Sequence, residues 1–90
     1  LFGMYSGEEE IVKLECENKM AGVIIDRFGK DTMFIKKDED HFTTNVKVIL
    51  SNQFISWVFS FGNGVKIVGQ DDVVEKVKSE VERLGKQYSD

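Results

Sequence analysis

Apolar and polar residues alternate over 8–17. Val12, Leu14 and Cys16 fall on one side, and Ile11, Lys13, Glu15 and Glu17 on the other. A period of two marks a half-buried strand. Asn18 suits a helix N-cap, and Met20, Val23, Ile24 and Phe28 then recur at helical spacing. Gly29 suits the residue just past that helix, where the left-handed backbone favours glycine. Residues 31–36 read as a short strand and Lys37-Asp38-Glu39-Asp40 as a polar turn. Residues 41–50 complete the hairpin, with Phe42, Thr44, Val46, Val48 and Leu50 on one face and Thr43, Asn45, Lys47 and Ile49 on the other.

Ser51 is placed to cap a second helix that turns Phe54, Trp57, Val58 and Phe61 inward and ends near Gly62. Asn63-Gly64 reads as a turn and Val65 to Val68 as a short strand. Asp72 and Glu75 resemble a capping box, followed by a stripe of Val74, Val77, Val81, Leu84 and Tyr88 along a last helix. The order is that of an α+β, ferredoxin-like βαββαβ plan, a four-stranded antiparallel sheet with a C-terminal helix added. Right-handed crossovers place both internal helices on one face of the sheet. Alternation then leaves Ile11, Ile49, Val68 and Phe34 on the opposite face, a candidate interface. The last helix either covers part of that face or leaves it open. Residues 1–7, with two glycines and no periodicity, read as a linker remnant, and 8–90 as a single domain.

Composition narrows the classes. Hydrophobic residues make up 41% of the chain, with seven Phe, one Trp and two Tyr, enough for a packed core. Sixteen acids against twelve bases give a net charge of −4, so this segment lacks the basic face that duplex DNA demands. No apolar run approaches the roughly 18–20 residues of a membrane span. The chain opens at Leu1 and not at Met, with no basic n-region and apolar stretch that would read as a signal peptide, so it reads as a piece of a longer protein. A single cysteine, Cys16, has no internal partner, which fits a reducing cytoplasm.

Candidate chemistry is sparse. His41 follows Asp38-Glu39-Asp40, but consecutive turn residues without a second His or Cys make a poor metal set, and no cofactor is implied. Cys16 alternates with Val12 and Leu14, so it reads as a buried thiol and not as a nucleophile. Phe54, Trp57, Phe59 and Phe61 read either as core or as an aromatic cage. One helix cannot bury all of Ile55, Trp57, Val58, Phe59 and Phe61 against one sheet face, so one side of that helix is expected to meet another surface. Phe59 is the candidate there. Arg27, one of two arginines, sits in the last turn of the first helix. It either complements the helix C-terminus or contacts an anion or a neighbouring domain.

Asn18-Lys19-Met20-Ala21 at the start of the first helix, Asp26-Arg27-Phe28-Gly29 at its end, and Phe54-Ile55-Ser56-Trp57-Val58-Phe59-Ser60-Phe61-Gly62 resemble the WYL C-terminal extension. That module follows the WYL domain in bacterial DeoR-like helix-turn-helix transcription regulators. The leader Leu1-Phe2-Gly3-Met4-Tyr5 resembles the connection between the two. The likeness spans essentially the whole chain. It implies a ferredoxin-like, non-enzymatic module that helps to dimerise its parent and contributes to effector sensing. Its partners would be a second copy and the WYL domain of the same chain, with DNA bound only through a separate N-terminal domain. The Trp-Tyr-Leu triplet that names the WYL domain is not in this sequence, and Trp57-Val58-Phe59 is not that triplet. No ligand-binding residue carries over.

Two other classes share the fold: a stand-alone small-molecule sensor and an acylphosphatase-like hydrolase. The second needs a basic, glycine-rich loop after the first strand, where this chain has Glu15-Cys16-Glu17-Asn18.

Overall fold

The computed structural model describes residues 5–89. Strand β1 (Glu9–Glu17) leads through a 3-10 turn (Asn18–Met20) into helix α1 (Ala21–Phe28). Strands β2 (Ile35–Lys36) and β3 (His41–Ile49) form the hairpin. Helix α2 (Asn52–Phe59), a second 3-10 turn (Gly62–Gly64), strand β4 (Val65–Gly69) and helix α3 (Asp71–Gln87) complete the order. The sheet runs β2-β3-β1-β4 with every neighbour antiparallel. This is the α+β plan that the alternation predicts, and it is compatible with a ferredoxin-like fold.

One face of the sheet carries the core. Val12, Leu14 and Cys16 of β1, Val46 and Val48 of β3, and Val65 and Ile67 of β4 pack in one cluster with Ile24 of α1, Phe54, Ile55 and Val58 of α2, and Val73 of α3. Each fully buried aliphatic side chain contributes about 1.5–3 kcal/mol. Val73 in that cluster places the start of α3 on the same side as the other two helices. The opposite face is left open.

The two glycines that close the α2–β4 connection have distinct reasons. Gly62 has φ +58°, a conformation that a side chain disfavours. Gly64 packs closely on Met20: a Cβ there would lie 2.9 Å from Met20 Sδ, so the methionine side chain would have to shift. Ser51 caps α2 as expected, its hydroxyl accepting from the Phe54 N–H at 3.1 Å.

Several expectations are corrected. The strand over 31–36 shrinks to Ile35–Lys36, and with Ile35 outward opposite Thr43 the preceding Phe34 faces inward and stacks on Phe42, ring centres 4.1 Å apart. Phe34 therefore packs against the core and does not belong to the outer face. Val68 occupies a bulge between the Leu14–Ile67 and Lys13–Gly69 pairs and is half-buried, so it is only a marginal part of that face. Asn18 does not cap α1. Its side chain donates to the Glu39 carbonyl and its N–H to the Asp40 carbonyl, both at 2.9 Å, tying the end of β1 to the hairpin turn. The Asp72–Glu75 box does not form either: α3 starts at Asp71 with Gln70 at the N-cap and no side-chain cap. The buried side of α3 carries Val73 and Glu80, while Val81 and Tyr88 of the expected stripe are exposed.

Residues 1–4 of the expected linker and leader, and Asp90, lie outside the described residues. Tyr5 packs against the core, and its hydroxyl donates to Asn52 Oδ1.

Candidate functional site

The open face of the sheet is built by strand register. On β1 and β3, Ile11 stands opposite Lys47, Lys13 opposite Asn45, Glu15 opposite Thr43, and Glu9 opposite Ile49. Across the hairpin Ile35 stands opposite Thr43 and so shares their face. Three large aliphatic side chains result: Ile11 is 46% exposed, Ile35 57% and Ile49 57%. Lys13, Lys47 and Lys66 lie among them and join no ion pair among the described residues. Asp71 and Asp72, at the start of α3, border Lys13 in a shallow hollow.

The acids of the face are mostly engaged. Lys37 donates to Glu15 at 2.8 Å. That hydrogen bond holds the Glu15 carboxyl below its usual range and raises the Lys37 ammonium. Glu17 pairs with Lys19 at 3.5 Å. The outward positions hold no Phe, Tyr or Trp, so the face offers no ring for stacking bases in the manner of RNA-binding sheets.

Arg27 lies on the helix side, away from that face. Its guanidinium carbon is 4.4 Å from the centre of the Trp57 ring and 5.8 Å from those of Phe28 and Phe54. Phe28 and Phe61 meet Trp57 edge-on at 5.9 and 5.1 Å, and Phe54 stacks on it at 5.9 Å. Arg27 thus covers an aromatic cluster bridging α1 and α2, and Trp57 beneath it is half-buried.

Phe59, two residues on from Trp57, points roughly 200° away around α2. It lines a separate groove of about 470 Å³ with Val58, Val65, Ile67, Val74 and Val77, between α2, β4 and α3. Arg27 is not among the lining residues, so the two sequence candidates belong to different places.

The other nucleophilic and titratable candidates are Cys16 and His41. The β1–β3 register brings His41 within one step of Cys16, closer than the sequence suggests, but on the opposite face. Cys16 is fully buried, and burial pushes its thiol up to about 11. His41 Nδ1 lies 2.9 Å from Asp38 Oδ1. That hydrogen bond raises the imidazole and lowers the carboxyl. Among the described residues no three His, Cys, Asp or Glu side chains gather as a metal site, and no helix is long and apolar enough to cross a membrane.

Sequence reasoning missed Ile35 on the open face. Its signal was parity with Thr43 across the hairpin, hidden by the assumption that 31–36 is a regular strand. The candidate site rests on this geometry alone, because no protein-family model, no curated protein and no solved structure matches the chain.

Proposed function

We propose that this chain is the regulatory and dimerisation module of a larger cytoplasmic transcription regulator of the WYL-domain, DeoR-like helix-turn-helix type. It works by binding protein and not by catalysis. The observation that carries the reading is the open sheet face with Ile11, Ile35 and Ile49 exposed beside unpaired lysines. A monomeric domain gains nothing from such a surface, whereas an interface gains about 25 cal/mol per Å² of apolar area covered. The face docks on a second copy or on the WYL domain of the same chain, and it passes effector occupancy between them. DNA is contacted by a separate, N-terminal domain. An interface here buries over ~1,000 Å² in total.

Sedimentation of the chain tests the self-docking half. The wild type forms a concentration-dependent dimer, and Ile11→Lys with Ile49→Lys abolishes it without changing the circular dichroism spectrum. A monomer at about 1 mM, where an association worth about 4 kcal/mol is half-complete, overturns self-docking. A dimer that survives both lysines removes this face as its interface.

The Phe59 groove favours a second reading, a small-molecule-sensing regulatory domain, since its apolar lining and partial enclosure suit an apolar ligand.

A further inference from the structure

Strand β3 runs from His41 to Ile49, and β1 pairs with it over that whole length. On the other side β2 supplies only Ile35 against Thr43 and Lys36 against Phe42. The His41 carbonyl accepts from the Lys37 N–H on that side at 3.0 Å. In an antiparallel ladder alternate residues send their backbone groups to alternate edges. Asn45, Lys47 and Ile49 therefore direct N–H and C=O the same way as His41 and Thr43, where no strand of the described residues meets them. A groove of about 810 Å³ runs along this stretch, lined by Asn45, Val46 and Lys47 on the strand and by Met33, Ile35 and Phe28 across from it. Met33 is 79% exposed.

An unpaired strand edge with apolar neighbours is a template for another strand. We propose that the 45–49 edge of β3 accepts an extended segment of a partner protein as an added strand, with an acidic residue opposite Lys47 and apolar residues on either side of it. Main-chain hydrogen bonds to Asn45, Lys47 and Ile49 supply affinity, and side chains at alternate positions supply selectivity.

Charge decides the occupant. The free edge is symmetric about Lys47, so antiparallel pairing with a second copy sets Asn45 against Ile49 and Lys47 against its own counterpart. Like charges directly opposite each other destabilise a pair. Lys47 joins no ion pair among the described residues, and its cross-strand neighbour on β1 is Ile11. A carboxylate arriving on the open side meets an unshared ammonium. Asp31, the one acid lining the groove, forms no ion pair with Lys47, which leaves that ammonium to an acid on the added strand. Flanking residues of the added strand point to the helix side, next to Val46 and Phe28, and are apolar for that reason. This edge borders the docking face and shares Ile35, Lys47 and Ile49 with it, but it binds through main chain and not through the isoleucine side chains.

The test uses the whole chain and a capped heptapeptide of alternating valine and threonine with one central glutamate. Backbone amide shifts and hydrogen exchange are followed by nuclear magnetic resonance. Bound peptide slows exchange at Asn45, Lys47 and Ile49. Lys47→Glu, folded by circular dichroism, weakens the glutamate peptide by about tenfold or more and restores binding to a lysine-centred peptide, since a like-charge contact opposes docking. N-methylation of the peptide's edge-facing amides abolishes binding. Absence of protection at the three amides with peptide in excess overturns the proposal, as does equal binding of the methylated peptide. Protection that grows with protein concentration in the absence of peptide assigns the edge to a second copy and overturns it as well.

Discussion

The guanidinium of Arg27 lies over the face of Trp57, 4.4 Å from the ring centre, and no acid of the described residues pairs with it. The contact joins the last turn of α1 to the middle of α2, which explains why an exposed arginine stands where the helix end alone needs no more than a weak positive charge. An exposed cation–π contact is worth about 0.5–1 kcal/mol. Arg27→Ala is expected to cost about that much. Trp57→Ala costs about 3 kcal/mol, the low end for a large aromatic because the ring is half-buried. Urea unfolding of both single variants and the double variant isolates the coupling. A coupling of zero would show that the guanidinium only passes over the ring.

The hairpin turn carries a pH signature. His41 is raised above its ordinary 6.5 by Asp38, and Asp38 is lowered by His41. A raised base stabilises the fold below its unfolded pKa, and that contribution fades as pH rises through the folded value. A lowered acid stabilises above its unfolded pKa and fades as pH falls through the folded value. The pair therefore contributes most between about pH 4 and 6.5, the two unfolded values. The His41 ring signals in a proton titration should move with a midpoint above 6.5, and Asp38→Asn should lower it. An unchanged midpoint in that variant would remove Asp38 as the cause.

Cys16 provides a readout of core opening. With the thiol raised from 9.0 to about 11, its thiolate fraction at pH 8 falls roughly a hundredfold, and burial blocks access besides. Ellman's reagent should react slowly with the native chain and at once in guanidinium. Rapid native labelling would mean that β1 separates easily from the helices.

How far the fold could be read depended on whether one signal decided each element. The β1 and β3 alternations are unambiguous, because a one-residue slip would turn Val12, Leu14, Val46 and Val48 to water. The hairpin around β2 was harder. Met33, Phe34 and Ile35 are all apolar, so period two has no contrast there, and the Phe34–Phe42 stack decides the register in three dimensions. The open face was legible in Ile11 and Ile49. The edge of β3 was not, since its exposure depends on how short β2 turns out to be. Helix α3 offers two overlapping stripes, 73/77/80/84 and 74/77/81/84/88, and the apolar one fails at Val81 and Tyr88, which are exposed.

The apolar stripe fails there because Glu80 is buried with help from its own helix. Arg83 donates from Nε to one carboxylate oxygen at 2.9 Å and from Nη2 to the other at 2.8 Å, and its Nη1 reaches Gln87 Oε1 at 2.9 Å. The paired arginine holds the Glu80 carboxyl below its usual range. A lowered acid adds stability above its unfolded pKa, so the wild type begins to lose this contribution near pH 4.5 and loses it fully only below the still lower folded value. Removing the arginine reverses the sign. In Arg83→Ala the buried carboxyl has lost its main partner, burial raises its pKa, and the variant becomes relatively more stable in acid. The melting-point deficit of Arg83→Ala should therefore be larger at pH 7 than at pH 4. Glu80→Leu keeps an apolar side chain against the core and leaves only an exposed arginine unpaired, so it should melt at or above the wild-type temperature at pH 7. A deficit that is the same at both pH values, together with a destabilised Glu80→Leu, would show that this part of α3 is held by the carboxylate through some contact other than Arg83.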